Sequence, residues 1–106
     1  MVDADSIATV GIDAEGRLFV RPASARFPQI YREAMEVHWD AASRQLYSPR
    51  PHEWTYPRWF QQIVHAAAEQ SWELRLMPST AWIDIPAEVR AEIVRWSASR
   101  VTQLSS

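Results

Sequence analysis

The sequence predicts an α+β domain, an antiparallel sheet of about five strands with two main helices packed on one face. Three observations carry that prediction. Short runs alternate apolar and polar residues and end at turn residues, as in "GRLFVRP" and "SWELRLMP". Two longer stretches, after Pro57 and after Pro86, instead repeat apolar residues at helical spacing. Finally, the runs follow one another as strand, strand, short helix, strand, strand, helix, strand, helix, so most strands have a hairpin partner next to them in the chain.

Taken in order, "SIATVGID" and "GRLFVRP" form a hairpin around Asp13-Ala14-Glu15-Gly16, ended by Pro22. Leu18 and Val20 face one way; Arg17, Phe19 and Arg21 face the other. "RFPQIYREA" reads as a short helix, with Pro28 in its first turn and Ile30, Tyr31 and Ala34 on one face. "MEVHWDAASRQLYS" is a second hairpin, in which Met35, Val37 and Trp39 alternate with Glu36, His38 and Asp40, and Leu46 and Tyr47 lie in the return strand. From Pro57 to Gln70 a helix places Trp59, Phe60, Ile63, Val64 and Ala67 on one stripe. "SWELRLM" sends Trp72, Leu74 and Leu76 one way and Glu73, Arg75 and Met77 the other, up to Pro78. "STAWIDI" is a short extended segment. A last helix runs from Pro86 to about Ser99, with Val89, Ile93 and Trp96 as its buried stripe.

Composition bounds what this one domain, residues 1–106, can do. At 47% hydrophobic it can bury a core, and six Trp, three Tyr and three Phe make that core rich in rings. A net charge of −2 lacks the basic footprint of a phosphate-held nucleic-acid binder, so no nucleic acid is expected. Without Cys there is no disulfide, thiol nucleophile or Cys-ligated zinc. Gly occurs only at Gly11 and Gly16, which excludes a glycine-rich phosphate loop. No apolar run is long enough to span a membrane and the N-terminus has no basic start, so a cytoplasmic address is expected. All eleven basic residues are Arg, which next to so many rings favours cation–π stacking.

The densest aromatic stretch, "HEWTYPRWF", is explained by helix entry. With Thr55 as N-cap, Trp54 and Trp59 fall at the two positions of a hydrophobic staple, and Pro57 sits where its missing donor costs nothing. The zinc-protease pattern that begins at His52-Glu53 fails, because Tyr56 holds the second His position. No metal and no cofactor is expected. Trp39, Trp72 and Trp96 each lie in the apolar phase of their element, so the Trp count points to core, not to a site.

What the core leaves over is the other face of the sheet. It carries Arg17, Phe19, Arg21, His38, Tyr47 and Arg75 as candidate binding residues, with Glu73 and Met77 beside them. Rings and guanidinium groups are enriched at interfaces, which favours self-association, as a homodimer, or a protein partner. Two alternatives use the same face: a small-molecule binder, and a small enzyme that gathers His38, Tyr47 and Glu73 into an acid–base group. No Gly-x-Ser-x-Gly turn or other catalytic spacing is present, so the reading favours a non-enzymatic protein and names no catalytic residue.

The stretches "IYREAMEVHWDAASRQLYS", "WFQQIVHAAAEQSWELRL" and "TAWIDIP" together resemble the small single-domain proteins encoded by mobile integron gene cassettes. The resemblance covers roughly Val10 to Arg90. It implies a bacterial, cytoplasmic accessory protein that oligomerises; it implies no activity and transfers no site residue.

Overall fold

The structure, a computed structural model, describes residues 3–28, 30, 36–49 and 54–105, with side chains described as far as residue 99. Among these residues six strands and two helices follow in the order β1 (Asp3–Ile12), β2 (Leu18–Pro22), β3 (His38–Asp40), β4 (Gln45–Tyr47), α1 (Tyr56–Glu69), β5 (Trp72–Arg75), β6 (Ala81–Ile83) and α2 (Ala87–Ser105). The α+β class is as expected from sequence. The short helix expected after Pro28, and His52 and Glu53, fall largely or wholly outside the described residues. No helix among the described residues is long and apolar enough to cross a membrane.

The sheet is mixed, which corrects the expectation of a purely antiparallel one. Strand order is β3-β4-β2-β1-β5, with β6 also on β1. The two hairpins pair antiparallel, but β5 and β6 both run parallel to β1. The cause is α1, which intervenes between β4 and β5 and returns the chain across the sheet, so that β5 enters in the same direction as β1. β5 and β6 lie end to end along β1. Between the pairs Ser6–Arg75 and Thr9–Ala81, β1 advances three residues and its partner six, so three residues loop out. Thr80 stitches this break: its hydroxyl donates to the Ile7 carbonyl at 2.6 Å and accepts from the Met77 amide at 2.9 Å.

Both helices pack on the face formed by Val10, Leu18, Val20 and Leu46, all completely buried. α1 supplies Trp59, Phe60, Ile63, Val64 and Ala67, the stripe its periodicity predicts, and α2 supplies Ile93. Burial of each large apolar side chain stabilises the fold by roughly 1.5–3 kcal/mol, which is why this face dictates the register of every strand. Thr55 caps α1 as expected, its hydroxyl accepting from the Arg58 amide at 3.4 Å. The Trp54 and Trp59 rings stand 4.7 Å apart between centroids, and Trp59 is 7% exposed, so the pair is a staple closed over the core. The Tyr56 hydroxyl donates to the Gly16 carbonyl at 2.8 Å, which ties the start of α1 to the β1–β2 turn.

Candidate functional site

The face of the sheet opposite α1 and α2 carries the candidate residues. Residues paired across strands share a face, and the pairs Ile83–Gly11, Gly11–Phe19, Phe19–Tyr47 and Tyr47–His38 line up across β6, β1, β2, β4 and β3. The line therefore holds an isoleucine, a gap, and three rings in succession. Gly11 is the gap that Phe19 fills: a Cβ there would run into the Phe19 ring and stand 3.1 Å from the Ile83 Cβ. Phe19 is accordingly 6% exposed, buried on this face and not presented to a partner as expected from sequence.

At the other end of the line the rings are accessible. His38 is exposed and Tyr47 half-buried, and the two rings stack at 5.3 Å with a 27° interplanar angle. The Arg17 guanidinium lies 4.7 Å from the centre of the Tyr47 ring. It is held there from the turn. Asp13 accepts the Arg17 Nε–H at 2.9 Å through one carboxylate oxygen, and the Glu15 and Arg17 amides, also at 2.9 Å, through the other. Glu15 approaches a second guanidinium nitrogen at 3.3 Å. Partial burial pushes the Asp13 carboxyl up, but the Arg17 amide, the guanidinium and the Glu15 amide outweigh it and hold the group below the ordinary carboxylate range. The Asp13 hydrogen bond in turn holds Arg17 above its ordinary value. Glu15, Arg17, His38, Tyr47 and Pro49 enclose a shallow cavity of about 420 Å³.

Arg21 belongs to the adjacent row. It is paired with Thr9 on β1 and reaches across to Gln45, donating to its side-chain oxygen at 3.1 Å. Its Nε–H is buried without an acceptor. Arg75 is not part of this group. It stands on β5, ion-paired with Glu73 at 2.9 Å, and β1 and β2 separate it from β4. Three strand spacings amount to about 14 Å to β4, and four to about 19 Å to β3, so Glu73 shares no proton with His38 or Tyr47 and the acid–base group is not assembled. Met77, expected on this face, instead lies beyond the end of β5 in the turn closed by Thr80, on the helix side. Sequence reasoning missed Asp13 and Glu15. The signal was present, since an Asp four residues before an Arg across a glycine turn can hold it.

Among the described residues no group of three or more His, Cys, Asp or Glu can hold a metal ion. The arrangement defines a small α+β protein with a ring-bearing sheet face. Comparison with known proteins then places it: the family model described as Integron Cassette Protein Hfx_Cass5 matches residues 5–80, and the chain belongs to that family, integron cassette proteins of unknown function. It is similar to a solved structure titled "Structure from the mobile metagenome of North West Arm Sewage Outfall: Integron Cassette Protein Hfx_Cass5", with 48% identity over 89% of this chain and 95% of that one and a TM-score of 0.44. No curated protein matches the chain.

Proposed function

We propose that the protein is a bacterial, cytoplasmic accessory protein without catalytic activity, whose sheet face opposite α1 and α2 binds a protein partner, in the first instance a second copy of itself. The observation that carries this reading is the accessible Tyr47–His38 ring stack with Arg17 over it, at the end of the line that begins at Ile83. Its borders mix signs: Arg17 and Arg21 lie beside Asp13, Glu15 and Asp40. A two-fold contact sets each patch against itself, so a patch with both signs can meet its copy without net repulsion.

Light scattering after size-exclusion chromatography tests this with His38→Glu and Tyr47→Glu, both at accessible positions. Phe19 is unsuitable, because an acid in its buried slot would break the fold. The wild type is expected to be a dimer at about 100 µM and both variants monomers with unchanged circular dichroism. A wild type that stays monomeric at that concentration removes the second copy as the occupant. The cavity of about 420 Å³ supports a second reading, a neutral or cationic flat molecule resting on Tyr47 and His38, since the Arg17 charge is already matched by Asp13 and Glu15. Saturable loss of tyrosine and histidine ring signals on titration with a flat amine would favour it over the dimer.

A further inference from the structure

We propose a second site, on the opposite side of the molecule, that takes a small apolar carboxylic acid. It is a cavity of about 490 Å³ between the β5–β6 connection and α2, whose lining includes Leu76, Met77, Trp82, Arg90, Val94 and Ser97. That size falls within the usual range for small-molecule pockets of about 300–1,000 Å³. Two observations point to a ligand. Met77 and Val94, at 43% and 44% exposed, are two of the three large exposed hydrophobics among the described residues, and both line this one cavity. Among the described residues Arg90 is its only charged lining residue and no acid lines it, in a chain whose net charge is −2.

Arg90, on α2, is also differently placed from Arg17. Its guanidinium lies 5.1 Å from the centre of the Trp82 ring, and among the described residues it forms no ion pair. Glu88 and Glu92, two positions away on either side, point to other faces of α2. The cation is thus fixed in place by the ring while its N–H groups remain available. A carboxylate at the rim accepts from Arg90, and its hydrocarbon body covers Met77, Trp82 and Val94, which removes apolar surface from water. Met77 adapts to the shape of that body, having an unbranched and polarizable side chain.

The test titrates isotope-labelled protein with octanoate and, separately, with octanamide, following the Trp82 indole and Met77 methyl resonances. Octanoate is expected to give saturable shifts confined to Trp82, Met77 and Val94, and to bind more tightly than octanamide. Arg90→Gln, a good helix former at an exposed position, weakens octanoate about tenfold or more, the loss of one charge-assisted hydrogen bond, and leaves octanamide unchanged. Val94→Trp fills the cavity and abolishes both. Shifts that fail to saturate below about 10 mM, shifts that map elsewhere, or an Arg90→Gln variant that binds octanoate like the wild type each overturn the proposal. The dimer variant His38→Glu serves as a control, because this site does not rest on the sheet face and is expected to bind octanoate equally well there.

Discussion

Gly11→Ala intrudes on the slot that the Phe19 ring fills. The added Cβ would stand 2.7 Å from Cε1 of Phe19, nearer still to Cζ, and 3.1 Å from the Ile83 Cβ. Two responses are open. If the ring stays, β1 and β2 must separate locally, and such overpacking costs about 1–3 kcal/mol. If the ring swings out, the burial of Phe19 is lost, about 1.5–3 kcal/mol. One effect opposes both: Ala has less freedom than Gly in the unfolded chain, which contributes about 0.4–1 kcal/mol in favour of the variant. The clash wins, and the net destabilisation is about 1–2 kcal/mol. For a domain of this size that lowers the melting temperature by about 4–15 °C. Thermal denaturation followed by circular dichroism reads it directly. Adding Phe19→Leu shortens the offending ring, so the double variant should lose about 1 kcal/mol less than the sum of the two singles. A melting temperature for Gly11→Ala equal to or above that of the wild type, or strict additivity in the double variant, would refute the claim that Phe19 occupies the glycine slot.

Three further outcomes follow from single contacts. Thr80→Val keeps the shape but leaves the Ile7 carbonyl without its buried donor, and should cost about 1–3 kcal/mol in urea denaturation with little change in m-value. Thr55→Ala removes the α1 cap and should cost about 1 kcal/mol; a double-mutant cycle on Trp54 and Trp59 should add a coupling of about 0.5–1.5 kcal/mol, and a coupling near zero would remove the staple. For Asp13 the folded-state pKa is depressed, so its stabilisation is complete above the unfolded value of about 3.9 and disappears as the pH falls through the folded value. The gap in melting temperature between wild type and Asp13→Asn should therefore be constant from pH 7 to 5 and close below pH 4; a gap that widens on acidification contradicts the assignment.

The helices were legible because their signals are local. Thr55, Pro57 and the Trp54–Trp59 spacing specify the start of α1, and its apolar stripe specifies its face, without reference to anything distant. Both hairpins were legible for the same reason: Gly16 supplies the left-handed residue of one turn, and Asp40 accepts from the Ala42 and Ser43 amides in the other. The partners of β5 and β6 were not legible, because alternation tells which face a side chain takes and not which strand lies alongside. The same limit hid the fate of Phe19. Its phase placed it on the outer face, correctly, but its burial depends on a glycine eight residues away in the chain and directly opposite in the sheet. Arg75 was misgrouped with Tyr47 because one shared phase was read as one shared location, and Met77 because β5 ends at Arg75 and the alternation does not reach it.

The arginine–ring contacts separate the two proposed surfaces on physical grounds. Arg58 over Trp54, at 4.5 Å, lies on the staple and extends its cover, so its role is complete within the fold. Arg17 over Tyr47 is matched by two carboxylates, so a ligand there gains a flat ring surface and little charge. Arg90 over Trp82 has no carboxylate among the described residues, so an anion arriving there meets a cation that the fold has positioned. The same stacking geometry thus has three consequences: the staple decides that of Arg58, and between Arg17 and Arg90 what decides is the nearest acid. This is why the sheet face suits a partner of mixed charge, such as a second copy, while the cavity against α2 suits a small anion with an apolar body. A lysine at the last position would hold its charge on a flexible, strongly hydrated tip and would lose this fixed orientation, so Arg90→Lys should retain only part of the octanoate affinity even though the charge is conserved.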